Sequence, residues 1–76
     1  MFSREEFGKR LREVRKARGE TQASVGAVLG GTATLISDLE KGRRTTTLEK
    51  LTELAQYYNI STDYLLGLTD EPRPLR

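Results

Sequence analysis

The sequence contains no cysteine and no histidine. Disulfides and the usual zinc sites are therefore excluded, and so is nucleophilic catalysis of the Cys–His or Ser–His–Asp kind. An enzyme on this chain would have to rely on bare carboxylates or lysines, and no carboxylates converge in a pattern suited to acid–base work. No Gly-rich phosphate loop follows a strand pattern, and no cofactor is expected. The absence of cysteine fits a reducing compartment. No segment approaches the roughly 20 apolar residues of a membrane span, and the N-terminus MFSREEFGKR has no apolar signal core. A cytoplasmic location is expected. Proline occurs twice, both times in the final TDEPRPLR. No internal repeat is visible, and nothing reads as a strand.

What is present is a small, highly charged, helix-forming chain. Its 76 residues make one domain near the size at which a core stands without staples. The formal charge is only +2, but it is unevenly placed. Residues 1–45 carry ten Lys/Arg against six Asp/Glu, whereas residues 46–76 carry three against five. The positive field therefore belongs to the N-terminal part, which suits a polyanionic partner, although a solvated basic helix gives the same run.

Ser3 and Glu6 form an S-x-x-E capping pattern, and Phe2 and Phe7 stand at the staple positions of the same helix. The first helix is expected from about Arg4 to near Arg18, closed by Gly19, with Phe7, Leu11 and Val14 inward. Seven basic residues ride on it.

The stretch GETQASVGAVLGGTATLISDLEKG, from Gly19 to Gly42, reads as two short helices meeting at a tight turn. Thr21 caps the first, from about Gln22 to Leu29, and Gly30-Gly31 allow the positive φ that a sharp turn needs. Thr32 caps the second. At 100° per residue, Leu35, Ile36 and Leu39 share one arc, while Thr34, Ser37, Asp38 and Lys41 occupy the other, with Ala33 at its edge. A helix of about nine residues is roughly 13 Å long. With short polar tips it is slim enough for a DNA major groove.

The runs TQASVGAVLG and TATLISDLEKG resemble the helix-turn-helix of the phage-repressor and Cro type, the XRE-like family. Thr21, Gln22, Val25, Leu29, Gly30, Ile36, Ser37, Glu40 and Gly42 carry the resemblance, which extends through LEKLTELAQYYNISTDYLLG to residue 68. Four positions depart from the family pattern: Glu20 and Gly31 replace apolar residues, Gly26 replaces alanine, and Leu35 replaces a polar or small residue. Leu35 is expected to fill space that Gly31 leaves.

The resemblance implies an all-α, five-helix lambda-repressor-like DNA-binding domain with its helix-turn-helix at the second and third helices. It makes Ala33, Thr34, Ser37 and Asp38 the base readers. Thr21, Gln22, Lys41, Arg43, Arg44 and Thr45 become phosphate contacts. It also implies a structural ion pair between Arg15 and Glu40, although the helical wheel alone lets Arg10 or Arg18 reach the same place.

Beyond the motif, Thr47 caps a fourth helix with Leu48, Leu51, Leu54, Ala55 and Tyr58 inward, closed by Asn59. Ser61 caps a short fifth helix ending at Gly67. Tyr57, Tyr64, Leu65, Leu66 and Leu68 make an apolar excess that suits a two-fold dimer. The domain is expected over residues 1–68, and 69–76 as a flexible tail or linker start.

These features together point to sequence-specific recognition of double-stranded DNA by a homodimeric repressor on a near-palindromic operator. Two other readings fit the residues: a protein-interaction module such as an antitoxin partner, and the N-terminal fragment of a longer phage-like repressor.

Overall fold

A computed structural model describes residues 1–74. It is built of α1 (Arg4–Ala17), α2 (Gln22–Val28), α3 (Ala33–Glu40), α4 (Leu48–Tyr58) and α5 (Thr62–Leu66), with no strand among the described residues. Every helix starts on a hydroxyl side chain. Ser3, Thr21, Thr32 and Thr47 each accept a hydrogen bond from the backbone N–H three residues on, and Ser61 accepts from Asp63 and Tyr64. Each cap satisfies a donor the helix cannot satisfy itself, worth about 1 kcal/mol. The capping box at Ser3 is only half formed, because the Glu6 carboxylate reaches forward to Arg10 at 3.5 Å. The aromatic staple does form, with the rings of Phe2 and Phe7 at 6.2 Å.

The core gathers one stripe from each helix: Phe7 and Leu11, Val25, Ile36 and Leu39, Leu51 with Leu54 and Tyr58, and Leu65. Val14 packs at its margin. Leu48 departs from the expected stripe of α4 and is 78% exposed. It lies in the first turn, where its face opens into a surface groove instead of the core.

Two helix-interior glycines set how closely the helices pack. A Cβ at Gly26 would run into the Thr32 carbonyl, lying 2.6 Å from its carbon, so α2 and the start of α3 meet backbone to backbone. Gly8 does the same for α1 and the end of α3, where a Cβ would collide with the carbonyls of Leu39 and Glu40. Between α2 and α3 only Gly30 takes positive φ, at 70°. Gly31 serves differently: the Leu35 side chain occupies the place its Cβ would need, with Cδ2 at 2.9 Å, as expected from the pairing of those two departures.

The segment after α5 is not a loose tail over its described part. Arg10 donates to the carbonyls of Tyr64 (2.7 Å) and Thr69 (2.6 Å) and to the Asp70 carboxylate, while its guanidinium lies over the Tyr64 ring. The Ser61 N–H donates to the Pro72 carbonyl at 2.8 Å. Residues 69–74 thus carry backbone acceptors for groups α1 and α5 leave open. Residues 75 and 76 lie outside the described residues. No helix among the described residues is long and apolar enough to cross a membrane.

Candidate nucleic-acid interface

The outer face of α3 is made by elimination. Ile36 and Leu39 are fully buried and Leu35 half-buried, so the helix has a fixed rotation. That rotation leaves Thr34 exposed and Ala33, Ser37 and Asp38 half-exposed. The four expected base readers thus share one surface of short side chains.

Beyond Lys41 the chain turns at Gly42, whose backbone rests against Glu5 of α1. Lys41, Arg43, Arg44 and Thr45 are all exposed in the loop that follows. Arg43 is tied back to the helix: its N–H donates to the Asp38 carbonyl at 2.9 Å, and its guanidinium lies 3.6 Å from the Asp38 carboxylate. Arg43 is therefore the cation that pairs with Asp38. Across the turn, Thr21 is exposed, with its hydroxyl accepting from Ser24. The Gln22 amide turns inward and donates to Glu40 at 3.1 Å. Its side chain is thus part of the support for α3.

Support for the face comes from a buried ion pair. The Arg15 guanidinium donates to Glu40 through Nε (2.6 Å) and Nη2 (3.0 Å), and to the Glu20 carbonyl through Nη1 (2.8 Å). The Glu40 side chain is only 3% exposed. The hydrogen bonds to Glu40 hold the Arg15 pKa above its usual value, outweighing burial. Arg10 and Arg18, equal candidates on the wheel, are engaged elsewhere: Arg10 with the 69–70 segment, and Arg18 with the Tyr58 carbonyl and ring.

A second polar cluster escaped sequence reasoning. The Tyr57 hydroxyl donates to the Glu20 carboxylate, which raises the Tyr57 pKa. Beside it Tyr58 is buried with its hydroxyl unpartnered, and burial, then Glu20, pushes that phenol upward. The only sequence signal was Glu20 itself, a carboxylate at a position where an apolar residue was expected.

The expected dimer patch is dispersed. Leu65 is fully buried in this chain's own core and is removed from it, since its neighbours already cover it. Tyr57 faces Glu20 near the C-terminal end of α1, and Tyr64 lies beneath Arg10. Leu66 is half-buried beside Phe2, and Leu68 remains exposed.

A capped helix, a Gly30 turn and a second helix showing short polar tips define a helix-turn-helix domain, and the chain belongs to that family, the XRE-like class of repressor and Cro type. The helix-turn-helix domain family matches residues 6–74. Among curated relatives, the HTH-type transcriptional regulator YobD of Bacillus subtilis (strain 168) is 38% identical over 68 residues, covering 90% of this chain and 61% of that protein. The HTH-type transcriptional regulator ImmR of the same organism is 40% identical over 61 residues, covering 80% of this chain and 48% of that protein. The chain therefore spans between about half and three-fifths of the length of these two. The HTH-type transcriptional regulator y4dJ of Sinorhizobium fredii is 38% identical over 71 residues, and there the coverage is 93% of this chain and 92% of the relative. Among solved structures, the restriction-modification controller protein C.AhdI from Aeromonas hydrophila superposes with a TM-score of 0.74 at 31% identity, covering 82% of this chain and 94% of that one.

Proposed function

We propose that this chain is a sequence-specific double-stranded DNA-binding domain that acts in the cytoplasm as a transcriptional repressor, binding a near-palindromic operator as a homodimer. The observation that carries the reading is the outer face of α3: rigidly rotated, free of large side chains, and followed at once by the exposed cations Lys41, Arg43 and Arg44. In this reading α3 lies in the major groove, the 41–45 loop and Thr21 hold phosphates, and two copies place their α3 helices about 34 Å apart on one face of the duplex. The names of the relatives support a regulatory role.

Ala33, Thr34, Ser37 and Asp38 include no guanidinium and no amide, so none offers the bidentate contacts that discriminate bases most strongly. Methyl contacts to thymine from Ala33 and Thr34, an acceptor at Asp38 for cytosine N4, bridging water and duplex shape supply the specificity. The same poverty favours a second reading, in which α3 meets a protein partner. Selection of bound duplexes from a random pool, with filter binding across a salt series, separates them. A DNA reader yields a symmetric consensus and an affinity falling linearly in log salt. No enrichment and no salt slope would leave only the protein partner.

A further inference from the structure

The start of α2 is held from outside the helix. With seven residues, α2 falls short of the roughly 12–15 that a helix needs to persist alone in water, so contacts set its placement. At its far end Gly26 rests on the Thr32 carbonyl. At its near end the chain arrives through Gly19, which takes a φ of 67° and has no atom within 4 Å of where a Cβ would stand. Packing at that glycine fixes nothing, and Glu20 supplies the hold instead. Its N–H donates to the Arg15 carbonyl at 3.2 Å, its carbonyl accepts from the Arg15 guanidinium at 2.8 Å, and its carboxylate accepts from the Tyr57 hydroxyl. The first two ties run to α1, and the third crosses to α4. Tyr57 is itself fixed, its ring standing edge-on to that of the buried Tyr58 at 4.9 Å. It is 40% exposed, so its hydroxyl and not core burial is its main engagement.

We infer that Glu20 and Tyr57 are positioning residues for duplex binding, and that their hydrogen bond fixes where Thr21 stands against the phosphate backbone. The inference rests on the DNA-binding reading above and adds to it a pair that touches no DNA. The bond acts in two ways. It pins the residue preceding Thr21, whose hydroxyl accepts from the Ser24 N–H and whose carbonyl accepts from the Val25 N–H. It also turns the Glu20 charge toward α4. Released from Tyr57, a carboxylate one residue from a phosphate contact is free to face the duplex and repel it.

The test uses Tyr57→Phe, which keeps the ring and removes the hydroxyl, and Glu20→Gln, whose amide oxygen still accepts from Tyr57 without the charge. Ile60→Ala, between α4 and α5, is the control that loosens the fold away from α2. Hydrogen exchange of the free proteins compares the Ser24 amide, which donates to Thr21, with the Leu35 amide, which donates to Thr32. Filter binding to duplex DNA across a salt series, at a temperature where every variant is folded, reads affinity and slope. Tyr57→Phe is expected to speed Ser24 exchange relative to Leu35, and to lower duplex affinity, by at least about threefold each. Its salt slope should become shallower by up to about one. Glu20→Gln should bind at least as tightly as the wild type, and Ile60→Ala should keep both affinity and slope. A purely structural tie would lower the melting temperature of Tyr57→Phe and leave its binding where Ile60→Ala leaves it. That result overturns the inference while the DNA reading stands. Binding by Glu20→Gln as weak as that of Tyr57→Phe, with the acceptor kept, would overturn it too. If the wild type binds no duplex at any salt, the DNA reading and the inference fall together.

Discussion

Arg15 and Glu40 stand 25 residues apart and meet through two hydrogen bonds, with Gln22 donating to the same carboxylate and Arg15 reaching on to the Glu20 carbonyl. The first helix and both helices of the motif thus converge on one carboxylate, and Arg15 ties in the segment between α1 and α2 as well. The pair is a device for geometry more than for net stability, because desolvation of both charges offsets most of their attraction. Removing one partner is another matter.

Glu40→Ala should destabilise the fold by about 3 kcal/mol, since it strands a buried guanidinium. Arg15→Ala should cost a similar amount, and the double variant should cost clearly less than the two together. Urea unfolding of all four proteins measures the coupling. Additive losses would mean the pair is not acting as a unit.

Gly8 is the tightest constraint on the position of α3. Alanine there gains about 1 kcal/mol in helix propensity, but its methyl would drive into the carbonyls of Leu39 and Glu40, which are backbone and cannot swing aside. Overpacking of this kind costs about 1–3 kcal/mol or more. Gly8→Ala is therefore expected to lower the urea midpoint, and DNA affinity should fall even where the protein is still folded. An unchanged midpoint would show that α1 and α3 can separate freely.

Asp38 carries the one negative charge among the four outer-face residues and holds Arg43 at 3.6 Å. Asp38→Asn removes a repulsion toward phosphates and releases that cation. Affinity for random duplex at fixed salt should rise several-fold, and the slope of log affinity against log salt should steepen by up to about one. Filter binding checks both, and an unchanged slope would mean that Arg43 makes no added phosphate contact.

Tyr58 and Tyr57 give the fold an alkaline limit. Both phenols have pKa values above their ordinary value of about 10, Tyr58 chiefly through burial and Tyr57 chiefly through its hydrogen bond to Glu20. A group whose pKa is raised on folding adds stability that is complete below the unfolded value and lost as pH climbs toward the folded one. Stability should thus decline above about pH 10. Tyr58→Phe should make that decline shallower while changing stability at neutral pH by less than about 1 kcal/mol, because the lost hydroxyl has no hydrogen-bond partner. Thermal melts from pH 7 to 11 provide the measurement.

The order of elements was legible because each helix carries its own start signal and an apolar stripe of the right period. Ser3, Thr21, Thr32, Thr47 and Ser61 all cap where the sequence placed them. The outer face of α3 was legible for the same reason, since Ile36 and Leu39 fix its rotation. What stayed hidden depended on distant partners. Three arginines at α1 were equivalent on a wheel; the family resemblance alone singled out Arg15 for Glu40, and nothing in the sequence sent Arg10 to the chain after α5. Local pattern also failed at Leu48 and Leu65. The first continues a buried stripe into a groove, and the second, counted as surplus, is fully enclosed. Gly8 left a trace, a glycine inside a helix, whose meaning needed the carbonyls it touches.

That all five helices begin on uncharged hydroxyls has a practical outcome for binding studies. Added electrolyte strips phosphate contacts but has no ionised capping side chain to screen at these starts, and the first-turn carboxylates of Glu5, Glu6, Glu49 and Asp63 contribute only about 0.3–1 kcal/mol each. Within moderate ionic strength, a titration on duplex should accordingly record the surface of the molecule and not the loosening of its helices.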